Sequence, residues 1–373
     1  MPTAPDKRGD LSVSANDQSL THPVNCRYKG GNREGVVMMF FMILLLCALI
    51  LGPSREAWAQ KSLPTVRIGI EAVAGTNSHY YVTKQLGLFQ KQGLNLELIS
   101  FPGGTVGIQS LLAGDLQFAT ADGNLGLTAN LRGANLYFIA GMINTFPFSI
   151  LSKPEIRTPQ DLRGKKIVIS RYGSSSDTAV RAAVEKYDLR PDKDVIILQG
   201  GGQTERFAAL RSGAVDAAIV SPPLNLVGRD LGFNEVIDLS ESGVPYAHQQ
   251  IVAQKDFIER NPDLILRTLR ALIEGLSYWK DVSKKEVVIG HVAKYLRLDP
   301  QKNREQLEET YRYYGKTFST KPYPTLEGVE FTAQILKKNR PEAKDMQAKD
   351  YVMNRFVGEL EKEGFLARVF GGR

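Results

Sequence analysis

Apolar and polar residues alternate in blocks along most of this chain, and the block lengths predict its elements. Residues 66–70 (VRIGI) form an apolar run of strand length. A polar loop over 71–78 leads from it into helical spacing over 79–90. Residues 94–99 read as a second strand and 103–113 as a helix; a helix over 124–132 and a strand over 136–140 follow. The theme restarts at 165–170 (KKIVIS), with a Gly/Ser-rich turn, a helix to Lys186, a strand over 195–198 and a helix over 204–211. Strands alternating with helices of this length predict an α/β protein built on parallel sheets.

One pattern occurs twice. Residues 111–122 read LLAGDLQFATAD, and residues 210–221 read LRSGAVDAAIVS. Aligned on Gly114 and Gly213, each copy closes a helix with glycine, turns, runs through a buried strand and ends on a small polar residue. Glycine suits the left-handed position after a helix, and an unbroken small or apolar run suits a parallel strand covered on both faces. The carboxyl ends of such strands are where open α/β sheets collect ligands. Two such ends predict two similar lobes facing one small molecule.

Residues 147–151 and 249–253 flank the second unit and are expected to be strands crossing between lobes. The expected division is lobe 1 over 60–147, lobe 2 inserted over 148–248, and completion of lobe 1 with C-terminal helices over 249–373. Asn261-Pro262-Asp263 is a helix start, with Asn261 expected to cap, and amphipathic segments follow near 262–280, 284–295, 301–314, 325–338 and 350–363.

The first 59 residues differ from the rest. Residues 36–51 are an uninterrupted apolar run, preceded by Arg27, Lys29 and Arg33 and followed by Ala57-Trp58-Ala59. This is the layout of a secretory signal, with cleavage expected before Gln60 and a periplasmic destination. The run is short for a spanning helix, so a retained anchor is the weaker alternative. Both cysteines, Cys26 and Cys47, precede the expected cut, leaving the exported chain without thiol, disulfide or cysteine-held metal. The net charge of +7 is dispersed, without a dense basic block or aromatic interleaving, and nucleic-acid binding is not expected.

Residues 158–167 (TPQDLRGKKI) resemble the start of the second lobe in bacterial solute-binding proteins of the nitrate/sulfonate/taurine group. Residues 84–94, 189–195 and 213–223 resemble further marks of that group. The likeness runs in consistent order over roughly residues 64–340. It implies a two-lobed periplasmic-binding-protein fold with paired crossing strands that closes over a ligand by hinge motion. It also implies two partners, a small-molecule ligand and the membrane permease of an ATP-driven importer. The protein is expected to be a monomer with no cofactor and no enzymatic activity. The group also resembles fungal thiamine-pyrimidine synthases, which sacrifice a histidine and carry a cysteine-rich iron-binding motif. The exported chain has no cysteine, so that activity is not expected.

Candidate ligand-binding residues fall at the loop ends. Thr76, Asn77 and Ser78 open the first helix, where free N–H groups suit a carboxylate, sulfonate or phosphate; ordinary capping is the alternative. Asp122, Gly123 and Asn124 end the first repeated pattern. Gly123 would allow close backbone approach, and an ionised Asp122 would favour a ligand with amine or ring N–H groups, unless it only caps the next helix. Arg171, Tyr172, Gly173, Ser174, Ser175 and Ser176 are expected to form the matching anion or amide clamp in lobe 2, with a plain capping turn as the alternative. Ser221, before Pro222-Pro223, ends the second copy, and the crossing segments add Thr145 and Gln250, with the aromatic Phe146 and Tyr246 read mainly as hinge and core.

No catalytic constellation is expected. His79 and His248 could both approach the cleft, with Glu71 or Asp122 as neighbours, but they share no element that would make a metal or acid–base motif, and each is read as core or surface. The serines lack a G-x-S-x-G turn, and Gly200-Gly201-Gly202 lacks a full nucleotide fingerprint. The readings from other classes are an enzyme of cofactor biosynthesis on the same fold and a membrane-tethered sensor.

Overall fold

A computed structural model describes residues 63–371, except Ala72, Pro102 and Gly103, together with Met38, Met39 and Met42. Apart from those three methionines, the expected signal segment and both cysteines lie outside the described residues. The first lobe opens with β1 (Thr65–Ile70), α1 (Ser78–Gln85), α2 (Leu88–Lys91), β2 (Asn95–Ser100) and α3 (Gly104–Leu112). It continues with β3 (Phe118–Ala121), α4 (Gly123–Leu131) and β4 (Leu136–Ile143). The second lobe holds β5 (Ser149–Ser152), β6 (Lys166–Ile169), α5 (Ser175–Lys186), β7 (Ile196–Gln199), α6 (Gln203–Arg211), β8 (Ala217–Val220), α7 (Leu224–Asp230) and β9 (Asn234–Asp238). The chain then returns through β10 (Gln249–Gln254) to the first sheet.

Among the described residues the two sheets have five strands each, ordered β2-β1-β3-β10-β4 and β7-β6-β8-β5-β9. The orders correspond strand for strand, and β3 and β8, the strands of the repeated pattern, stand at the centre of each. Both strands are buried along their whole length. Gly114 and Gly213 sit at φ 86° and 78°, the left-handed conformation the pattern requires.

Four details differ from the sequence reading. First, β5 and β10 are not the crossings. β5 lies wholly in the second sheet between β8 and β9, and β10 lies wholly in the first between β3 and β4. Both run antiparallel to their neighbours, so each sheet is mixed. The chain passes between lobes in the irregular segments 144–148 and 239–248. Phe146 and Tyr246, fully buried, stack there with ring centroids 4.0 Å apart. Second, the helix expected over 79–90 breaks in two because Gly87 adopts φ 70°. Third, β4 extends three residues beyond its expected end, to Ile143, because its pairing with β10 runs from Leu136 opposite Gln254 on to Ile143 opposite Gln249. Fourth, the Asn261 side chain does not cap the helix it precedes. Its Nδ2 donates to Phe257 O at 2.9 Å and closes the previous helix instead.

The rest of the chain is helical: α8 (Lys255–Arg260), α9 (Pro262–Lys280), α10 (Lys285–Leu296), α11 (Arg304–Thr317), α12 (Leu326–Asn339), α13 (Arg355–Lys362) and α14 (Phe365–Phe370). Their apolar faces complete the lobe 1 core, in which Ile68 and Phe118 share one cluster with Leu272, Trp279, Tyr314 and Phe356. Lobe 2 has its own core, including Ile150, Ile167, Val180 and Ile219. The two lobes have separate cores and a two-segment connection, and a cleft lies between them.

Candidate ligand-binding cleft

The cleft encloses about 1780 Å³ and is lined by loops at the carboxyl ends of strands in both lobes. On the lobe 1 side, Gly75–Asn77 forms one 3-10 turn leading into α1. Neither Asn77 nor Ser78 caps α1 with its side chain. Gln249 Nε2 of β10 donates to Asn77 Oδ1 at 2.7 Å and to Thr76 O at 2.9 Å, which fastens the loop to the sheet. Thr76 and Asn77 line the cleft.

Asp122 has two roles at once. It ends β3 and caps α4, accepting from Leu125 N at 2.7 Å, and Tyr246 O–H donates to its other oxygen at 3.3 Å. Burial pushes its carboxyl up to about 6, against the lowering effect of those hydrogen bonds. Glu71, at the end of the neighbouring β1, is pushed up to about 8, first by burial and then by the charge of Asp122. Both line the cleft.

On the lobe 2 side, three serine hydroxyls form a closed cluster. Ser170 Oγ lies 2.8 Å from both Ser174 Oγ and Ser176 Oγ, which are 2.9 Å from each other. Ser174 is the cap of α5, and Ser176 accepts from Ser170 N at 2.9 Å. The turn before α5 depends on Gly173, whose φ is 75° and whose N–H donates to Asp177 Oδ2 at 2.7 Å. Tyr172, 54% exposed, is anchored through its O–H to Ile197 O at 2.9 Å. Ser221 N–H and O–H both donate to Gln203 Oε1, at 2.7 and 2.8 Å.

Of the residues expected to bind, Thr76, Asn77, Asp122, Asn124, Arg171 to Ser176 and Ser221 line this one cleft. Ser78, Gly123 and Gln250 do not. Ser78 Oγ turns inward to Gly75 O at 2.5 Å, and the Gly123 Cα packs against Thr332 and Ala247. Gln250 points into the sheet edge, where its Nε2 donates to Asn144 Oδ1 at 2.9 Å. His79 is a core residue, lying against Tyr80 and Phe318.

Sequence reasoning missed several lining residues. His248, read as core or surface, lines the cleft, and Phe148 packs edge-on against it at 5.3 Å. Arg206 of α6 is only 3% exposed, yet it lines the cleft and donates to Ile219 O at 2.8 Å and Gly201 O at 2.7 Å. Burial lowers its guanidinium to about 10, so it stays charged at neutral pH. A basic residue one turn into the helix after the glycine triplet was the available signal. Glu71 had the signal of its place immediately after the first strand.

Two lobes of corresponding topology, joined by two crossings and lined with polar loop ends, define the architecture of a periplasmic binding protein. Residues 76–282 match the family described as NMT1/THI5 like, and the chain belongs to that family. It is similar to a protein of Brucella abortus (strain 2308) described as a binding protein, with 26% identity over 243 residues, covering 63% of this chain and 72% of that one. The fold is similar to the periplasmic aliphatic sulphonate binding protein SsuA from Escherichia coli, with a TM-score of 0.66 and 19% identity over 79% of this chain and 99% of that one. It is also similar to the periplasmic nitrate-binding protein NrtA from Synechocystis PCC 6803, with a TM-score of 0.65 and 14% identity over 82% and 89% of the two chains.

Proposed function

We propose that this protein is exported by its N-terminal signal, captures a small organic molecule in the cleft and delivers it to the membrane permease of an ATP-driven importer. The observation that carries this reading is the meeting of polar strand ends from two lobes over one cleft, Asp122 and Asn124 on one side and Ser170 to Ser176 and Ser221 on the other. The relatives named for sulphonate and nitrate binding support the same kind of work. Lobe 1 (60–147 with 249–373) and lobe 2 (148–248) move as units about the two crossing segments. Ligand meets one wall first, and closure brings the other. The start of α5 and the buried Arg206 suit an anionic group on the lobe 2 side. The protein works as a periplasmic monomer and returns its ligand chemically unchanged.

Thermal-shift screening of the purified protein against small organic anions, cations and amphoteric compounds tests this, followed by calorimetry on each hit. A saturable hit recovered intact supports transport binding. Turnover of the hit, or no shift with any class, sinks the reading.

A further inference from the structure

Two carboxyl groups face the cleft from lobe 1 with no cation to answer them. β1 and β3 are parallel neighbours, so Glu71 and Asp122 emerge side by side at their carboxyl ends. Neither acid joins an ion pair among the described residues. Asp122 has hydrogen-bond donors in Leu125 N and Tyr246 O–H, whereas the Glu71 carboxyl has none among the described residues. Asp122, from the β3–α4 turn, is the charged group that acts on Glu71, and Glu71 in turn raises the neutral hydroxyls of Tyr80 from α1 and Tyr246 from the second crossing. Arg132 and Arg340 line the same cleft without pairing with either acid.

A third group on the same cleft is independent of the acids. His248 is 6% exposed and lines the cleft, and its Nδ1 is buried without a partner. Burial lowers its pKa to about 3, so the ring is neutral and offers one acceptor nitrogen. Phe148 lines the cleft beside it. Acceptors, a neutral imidazole and an aromatic face form surroundings that an anion would raise in energy and an organic cation would lower.

We infer that the lobe 1 wall receives a cationic nitrogen of the ligand, an ammonium, guanidinium or amidinium group, seated between Glu71 and Asp122 with His248 as a further acceptor. The inference rests on the solute-binding reading and narrows it to ligands bearing a positive charge, leaving the lobe 2 side for any anionic end. Binding is coupled to a proton. In the ligand-free protein, burial and the charge of Asp122 keep Glu71 protonated at neutral pH. The arriving cation supplies the missing charge, the Glu71 O–H bond breaks, and the proton leaves to solvent. A metal ion is not favoured at this spot: among the described residues no group of three or more His, Cys, Asp or Glu is arranged to hold one.

The test uses the purified protein and five probes of similar size: benzylammonium, benzamidinium, 4-(aminomethyl)benzoate, benzoate and benzenesulfonate. Affinities are measured by calorimetry at several pH values in buffers of different ionisation heat. The three probes with a cationic nitrogen are expected to bind. Their affinity should rise by up to about tenfold per pH unit toward pH 8 and then level off, with one proton released per ligand. Glu71→Gln should weaken them by about tenfold or more and remove the pH dependence between about pH 6 and 8, leaving only the part that Asp122 contributes at lower pH, while unfolding stays cooperative. Binding of benzoate or benzenesulfonate alone, equally tight in E71Q, overturns the cationic site and leaves solute binding standing. Cation binding that ignores pH and E71Q also overturns it. If neither these probes nor the wider screen bind, solute binding and the cationic site fall together.

Discussion

Asn124, at the start of α4 in lobe 1, donates from Nδ2 to the Gly173 carbonyl of lobe 2 at 2.6 Å. This contact spans the cleft directly, and both residues line it. Gly173 offers its carbonyl because its left-handed backbone turns the chain just before α5. A neutral hydrogen bond therefore joins the two lobes across the cleft. Farther out, Arg229 of lobe 2 pairs with Glu309 of α11 at 3.2 Å.

Removing the Asn124 amide should loosen the cleft without unfolding the protein. A neutral hydrogen bond contributes about 1 kcal/mol net, which is about fivefold in a two-state population. Asn124→Ala is expected to raise the radius of gyration of the ligand-free protein in X-ray scattering and to speed ligand dissociation about fivefold. Scattering curves identical to those of the parent protein would show that this bond does not govern closure.

The serine cluster should combine a structural and a binding role, and the two can be separated. Ser174 caps α5, so its loss alone should cost about 1 kcal/mol of stability. Ser175 lines the cleft. The double change Ser174→Ala/Ser175→Ala should lower the melting temperature modestly and weaken ligand affinity several-fold. Calorimetry with the ligand found by screening decides the point: affinity unchanged at a lowered melting temperature leaves these serines purely structural.

The two-lobed plan was legible because buried parallel strands write themselves as unbroken apolar runs, and the glycines before β3 and β8 mark the turns. The direction of β5 and β10 was not legible. An antiparallel middle strand has the same apolar run as a parallel one, and its partners lie far away in sequence. The same limit hid the fate of Gln250: whether a strand residue faces cleft or sheet edge depends on register, and β10 carries register shifts at both Gln249/Gln250 and Ile251/Val252. Loop-end chemistry was readable wherever a strand end could be counted, as at Asp122 and Ser221. Glu71 and His248 gain their character from burial by distant segments, which spacing does not report.

The crossings are held by the face-to-face contact of Phe146 with Tyr246, so that pair should set both stability and the stiffness of the hinge. Deleting a fully buried phenyl ring costs about 3–5 kcal/mol. Phe146→Ala is expected to lower the melting temperature by roughly 2–4 °C for each kcal/mol lost, while Phe146→Leu retains most of the stability. A Phe146→Ala protein that melts like the parent would mean the crossings are not held by this stack.

The ligand-free protein should also betray Glu71 through its stability alone. The Glu71 carboxyl shifts from an ordinary value of 4.5 to about 8 on folding. Between those values the folded protein keeps a proton that the unfolded chain has lost. Stability from this group is therefore complete below pH 4.5, falls as pH rises and is fully lost above pH 8. The slope is at most about 1.4 kcal/mol per pH unit, and water in the cleft reduces it. Asp122, raised to about 6, adds a smaller loss of the same sign between its ordinary value of 3.8 and that point. Glu71→Gln abolishes the Glu71 contribution and leaves that of Asp122, because an amide stays neutral throughout. The variant and the parent should melt alike near pH 4, and the variant should melt higher at pH 8.5. Melting temperatures that differ by the same amount across that whole range would show that Glu71 ionises in the folded protein as it does in water.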